Sequence, residues 1–154
     1  MGNDSVDHGS ASKVEALLPE WLTALQSAAD QGESEAQMEL GLAYADGAGV
    51  EQSDELSRKW LQRAAEQGSL RAQNYLAWLY SIRLGNDEQS FYWFFQAADQ
   101  GDADAQFNVG VAYEEGVGVT QDSALAQAWY LKAASQDHEG AILRLDRMIP
   151  SSVR

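Results

Sequence analysis

The chain contains no cysteine, so disulfides, a thiolate nucleophile and cysteine-built metal sites are all excluded. Its two histidines, His8 and His138, stand far apart with no second imidazole nearby, which argues against a metal site or a proton relay. Basic side chains are scarce: 10 Lys and Arg face 24 Asp and Glu, a net charge of −14. Nucleic acids and anionic lipid surfaces are bound largely through Lys and Arg, so both would repel this chain. A basic protein partner would instead be steered toward it. Residues 1–50 carry −8, against −2 for 51–100 and −4 for 101–154, so the acidity is concentrated toward the N-terminus. No apolar run approaches the roughly 18 residues of a membrane span. No basic-then-apolar leader opens the chain, which predicts a cytoplasmic protein, or a periplasmic one if a signal peptide has been removed.

What the chain does have is a phrase written four times. It reads Ala-Ala-Asp-Gln-Gly at 28–32, Ala-Ala-Glu-Gln-Gly at 64–68, Ala-Ala-Asp-Gln-Gly at 97–101 and Ala-Ala-Ser-Gln-Asp at 133–137. The intervals of 36, 33 and 36 residues describe one supersecondary unit stacked on copies of itself.

Each unit reads as two helices. In the first, Ala36, Leu40 and Tyr44 recur at i, i+4 and i+8, a stripe along one helical face, and the stripe returns as Ala72, Leu76, Tyr80 and as Ala105, Val109, Tyr113. Gly41 and Gly110 lie beside it, where a missing side chain lets a neighbouring helix come close; Ala77 takes that place in the middle unit. Gly47 to Val50 and Gly116 to Val119 end the helix and turn the chain. The second helix begins near Asp54 or Asp122, with a predicted buried stripe of Leu56, Trp60, Ala64, matched by Leu125, Trp129, Ala133 and, in part, by Trp93 and Ala97.

The predicted architecture is all-α: an α/α solenoid of antiparallel helix pairs, three repeats flanked by terminal half-repeats. Residues 1–11 read as a disordered tail and 12–150 as a single domain, with repeats at 30–65, 66–98 and 99–134 and a capping helix at 135–149. Pro19 falls in the first turn of the N-terminal half-repeat, after a short turn around Ser12–Leu17, and Pro150 stops the last helix. Asp137, Asp146 and Arg147 are the polar departures that a water-facing terminal half-repeat should show.

The series Ala36, Leu40, Gly41, Tyr44, Gly47, Gly49, Val50, Trp60, Ala64, Ala65, Gln67, Gly68 resembles the Sel-one-like repeat, a relative of the tetratricopeptide repeat. Ala105, Val109, Gly110, Tyr113, Gly116, Gly118, Val119, Trp129, Ala133, Ala134 and Gln136 form a second near-complete match. The middle copy departs at Ala77 and in a turn three residues shorter. The resemblance implies a helical solenoid acting as an adaptor, assembly factor or inhibitor through protein contacts, in a family whose small stand-alone members are mostly bacterial. Cysteine-rich relatives linked to β-lactam binding are no guide to a chain without cysteine.

In such a solenoid the first helices line the groove. Opposite the core stripe, register assigns Glu35, Met38, Glu39, Leu42, Ala45 and Asp46 to it, then Arg71, Asn74, Tyr75, Trp78, Ser81 and Ile82, then Asp104, Phe107, Asn108, Val111, Glu114 and Glu115. Six carboxylates against Arg71 give the set −5, interleaved with apolar and aromatic residues, the composition of a protein-binding surface. We therefore expect a non-enzymatic interaction module that holds a basic or apolar segment of another protein in an acidic, aromatic groove, with Trp78 and Phe107 as anchors. The alternative is a dedicated inhibitor, an immunity protein masking a basic bacterial toxin. No cofactor is expected. The Gly-x-Gly at 47–49 and 116–118 lacks a preceding strand, Asp102-Ala103-Asp104 lacks the glycine of a calcium loop, and Glu114 and Glu115 diverge by about 100° on a helix.

Overall fold

The computed structural model describes residues 19–148. Over that span it is all helix and turn: α1 (Glu20–Asp30), α2 (Ser34–Asp46), α3 (Asp54–Glu66), α4 (Leu70–Ile82), α5 (Asp87–Asp99), α6 (Ala103–Glu115), α7 (Ser123–Ala134) and α8 (Glu139–Met148). Each helix packs chiefly on its neighbours in sequence, the contact pattern of a solenoid. Three helix pairs, α2–α3, α4–α5 and α6–α7, stand between α1 and α8. The expected tail, the turn around Ser12–Leu17, His8 and Pro150 lie outside the described residues.

The helix starts are written locally. Ser53, Ser69, Asn86, Asp102 and Asp122 each accept a hydrogen bond from the backbone N–H three residues on, satisfying donors that a helix cannot pair internally. At the other end, Gly47 and Gly116 cap α2 and α6 in the left-handed conformation at φ 71° and 70°. The shorter middle turn does without that cap: α4 ends at Arg83 in a right-handed conformation.

Within each outer pair, the first helix presents a glycine to a large side chain of the second. A Cβ at Gly41 would lie 2.7 Å from the Leu61 side chain, and one at Gly110 would lie 2.6 Å from the Tyr130 ring. Leu61 and Tyr130 are both buried, each following the repeat tryptophan, with Phe94 in the equivalent place. The second-helix stripe therefore runs Ser57, Trp60, Leu61, Ala64, Ala65, spaced i, i+3, i+4, i+7, i+8. This corrects the expected start of the stripe: Leu56 and Leu125 are 37% and 42% exposed, and Ser57 and Ala126 are buried in their stead. A strict i, i+4 step overshoots a full turn by about 40°, so two such steps carry Leu56 off the buried face.

The repeated phrase proves to be a polar joint. Gln37 Nε2 donates to the Ala29 carbonyl at 3.0 Å, while Gln67 Nε2 donates to Gln37 Oε1 at 2.7 Å and to the Gly32 carbonyl at 3.1 Å. Gln73 with Gln100, and Gln106 with Gln136, repeat the side-chain pairing and bond the Ala65 and Ala98 carbonyls. Gln37, Gln73 and Gln106 are all buried, so a well-satisfied polar chain closes each junction. Gly32, Gly68 and Gly101 end the phrase at positive φ; in the fourth copy Asp137 takes the same conformation at φ 62°.

Candidate partner-binding face

Alternate helices α2, α4 and α6 form one face of the solenoid, and clefts open between them. The first is lined by Trp21 and Leu25 of α1 together with Glu39, Leu42 and Asp46 of α2. The second lies between α2 and α4, walled by Leu42, Ala45, Asp46, Tyr75, Trp78 and Ile82, with Ser57 and Leu61 of α3 also lining it. A third joins Trp78 and Ser81 to Asn108, Val111 and Glu115 of α6, over Ser90, Phe91 and Phe94 of α5. A fourth brings Asn74 and Trp78 to Asp104, Phe107, Asn108 and His138. Leu42 and Asp46 are shared by the first two clefts, and Trp78 by the last three. The face is thus a continuous track with Trp78 at its centre.

Trp78 is 47% exposed, and its ring meets Phe94 edge-on at 5.4 Å, a contact that fixes the indole while leaving part of it open. Tyr75 and Ile82 flank it, exposed by 46% and 72%. Leu42 and Val111 are half-buried, packed against core clusters while still lining the track. Asn74 and Asn108 are also half-buried.

One expected groove residue is placed otherwise, and a second lines the face but is partly covered. Met38 is fully buried in the cluster with Leu61, Ala64, Ala72 and Leu76, because its register turns it into the junction with the next repeat. Phe107 still lines a cleft, but one face of its ring is stacked on His138 at 4.6 Å and the ring lies tilted against Tyr130 at 5.7 Å, so it is not a freely presented anchor. His138 itself caps α8: its Nδ1 accepts from the Ala141 N–H at 3.1 Å while Nε2 meets Asp104 at 3.2 Å. The backbone donor fixes Nδ1 as the acceptor and leaves Nε2 to carry the proton.

The carboxylates are not equivalent either. Glu35 pairs with Arg71 at 3.0 Å across α2 and α4. Glu114 takes Arg144 at 2.6 Å and the Tyr130 hydroxyl at 2.5 Å, and Glu115 lies 3.8 Å from the same Arg144. Burial, reinforced by the Glu114 carboxylate, pushes the Tyr130 hydroxyl well above the ordinary tyrosine range and keeps it a donor. Only Glu39 and Asp46 of the six have no ionic or hydrogen-bond partner among the described residues. The two carboxylates without a partner among the described residues are thus both on α2. Sequence reasoning missed this because the pairing groups stand about 30 residues away.

Among the described residues, no three His, Asp or Glu side chains are placed to hold a metal ion, and no helix is long and apolar enough to cross a membrane.

Known proteins share this arrangement. The Sel1 repeat family model matches residues 34–69, 70–102 and 103–138, in units that begin at the first helix of each pair. The crystal structure of a Sel1 repeat protein from Oxalobacter formigenes superposes with a TM-score of 0.72 at 42% identity, over 84% of this chain and 99% of that one. A protective antigen present in uropathogenic Escherichia coli strains, displaying the same repeat fold, gives 0.80 at 32% identity, over 86% of this chain and 29% of that one. Cysteine-rich protein B of Helicobacter pylori, at 19% identity and a TM-score of 0.58, shares the fold alone. Chitin synthase regulatory factor 3 of Schizosaccharomyces pombe is 35% identical over 127 residues, which are 79% of this chain but only 14% of that protein. Sel1 repeats are protein-interaction modules, and this chain belongs to the Sel1 repeat family.

Proposed function

We propose that this chain is a non-enzymatic adaptor that holds a segment of a partner protein along the α2–α4–α6 face. The observation that carries the reading is Trp78: a half-exposed indole, fixed from behind by Phe94 and shared by three adjoining clefts. A large ring held in place costs little further ordering on binding, which is why such residues serve as anchors. Tyr75 and Ile82 widen the apolar surface around it, and Asp46 of α2 borders it. A dedicated inhibitor of a basic toxin would use the same face, but for one partner held very tightly.

The test is site-directed photo-crosslinking in the native host. A photoreactive residue in place of Ile82 should trap partner adducts, and Trp78→Ala in the same chain should remove most of them at unchanged helicity. The same probe in place of Leu131, 55% exposed on α7, serves as the control. Equal trapping at both positions, or adducts indifferent to Trp78→Ala, would sink the reading.

A further inference from the structure

We propose that the outer face of α8 pairs two copies of this chain, helix against helix and antiparallel, about a two-fold axis at Leu143. The contact needs no residue of the α2–α4–α6 face, so its failure would leave the adaptor reading untouched.

One side of α8 is spent inside the fold. Ala141 is fully buried, Leu145 and Met148 pack on the same cluster, and Arg144 holds Glu114. The other side carries Glu139, Ile142, Leu143, Asp146 and Arg147, all exposed, within an arc of about 140°. The centre of that arc is apolar, with Ile142 46% and Leu143 60% exposed. A helix that is apolar on two sides has a second surface to cover.

The repeat register shows what this face is not built to take. Gln37, Gln73 and Gln106 stand where α8 has Ile142, and each closes its joint with a second glutamine. Gly41, Ala77 and Gly110 stand where α8 has Asp146. At the two glycines the second helix of the pair comes closest. So α8 lacks both the glutamine and the small residue through which the other first helices seat their partners. Met38 stands in the register of Leu143 and is fully buried in one cluster with Ala72 and Leu76 of the next unit. Leu143 has no such cover among the described residues.

Charge complementarity identifies the occupant as a second copy of the same helix. Asp146 already has a partner within the chain, whereas Glu139 and Arg147 have no ionic partner among the described residues. They stand four residues to either side of Leu143, about 6 Å along the axis in each direction. With two copies laid antiparallel across Leu143, each Glu139 meets the other copy's Arg147. Two equivalent ion pairs then flank one apolar centre, the self-complementary pattern of a two-fold contact. Parallel helices would set acid against acid and base against base, and would also align rather than oppose the helix dipoles. Each copy carries −14, so repulsion between the bodies works against a small patch, and the dimer should be weak.

The experiment is sedimentation equilibrium of the full chain, from micromolar to millimolar concentration, at physiological ionic strength. A monomer–dimer equilibrium is expected, with a dissociation constant of about 10–100 μM. Leu143→Lys should abolish it at unchanged helicity. Glu139→Arg or Arg147→Glu alone sets like charges opposite each other and should weaken the dimer about tenfold or more. The two reversals together should restore it to within about threefold of the starting value. A dimer lost with Leu143→Lys but indifferent to the single reversals would overturn the antiparallel pairing. A dimer indifferent to Leu143→Lys, or a chain monomeric throughout, would overturn the proposal and give the face to another occupant.

Discussion

Three carboxylates stand at each end of the α2–α4–α6 face, and their fates differ. Glu35 and Asp104 occupy the same register in their repeats, as do Asp46 and Glu115. In the C-terminal half all three are tied down, by Arg144 of α8 and by His138 just before it. In the N-terminal half one is tied, to Arg71, and two have no partner among the described residues. Repetition fixes where a side chain points. The neighbouring helix decides whether it is available, and at the C-terminal end α8 supplies an ionic partner in Arg144.

The turns divide along the same line. A Cβ at Gly49 would press on the Trp21 ring, a side chain that can move, whereas one at Gly118 would run into the Asp87 carbonyl, which cannot. Both glycines sit at positive φ. Gly118→Ala should thus destabilise the chain by about 2–4 kcal/mol and Gly49→Ala by about 1–2 kcal/mol, read from urea unfolding. Equal losses would mean that the two turns yield alike.

A smaller effect separates the halves by pH. Tyr130 is fully buried, and its hydroxyl pKa is raised by that burial and by Glu114. A raised folded-state value stabilises the fold fully below the unfolded tyrosine pKa of about 10, and that stability is lost as the pH climbs beyond it. Tyr130→Phe should cost about 1 kcal/mol at neutral pH and should flatten the fall in melting temperature above pH ~10. A variant that keeps the same alkaline slope would remove Tyr130 from the explanation.

The smallest effect is a gain. Asp137 holds at φ 62° the conformation that glycine holds in the other three phrases. Asp137→Gly should raise stability by up to about 1 kcal/mol, and hydrogen exchange should slow in α8. Unchanged exchange would place the strain elsewhere.

The helices and their phase were legible because alanine, glycine and tryptophan return at fixed intervals, and periodicity is a local property of the chain. The second-helix stripe was read half a step off, since Leu56 and Leu125 are as apolar as a core residue and only the position of the adjoining helix leaves them at the edge. Met38 looked like a groove residue by register and is interior by contact. Trp78 was legible as exposed because the core stripe left it out. What lay beyond the sequence was pairing at a distance: Arg144 with Glu114, His138 with Phe107 and Asp104, each joining residues about 30 positions apart. Gln37, Gln73 and Gln106 left a visible trace, an Ala-Gln step opening every repeat. Its meaning depends on the Ala carbonyl eight residues earlier that each side chain bonds.

Those glutamines make every joint in the molecule the same coupling. Because one side chain, one carbonyl and one partner glutamine recur at each junction, the ends of a unit are interchangeable parts. A duplicate of residues 70–102 inserted after Ser69 would meet its neighbours through bonds already proven at the existing joints. The length of such a solenoid, and with it the length of chain it can grip, is then free to change one whole unit at a time without any new joint having to be invented.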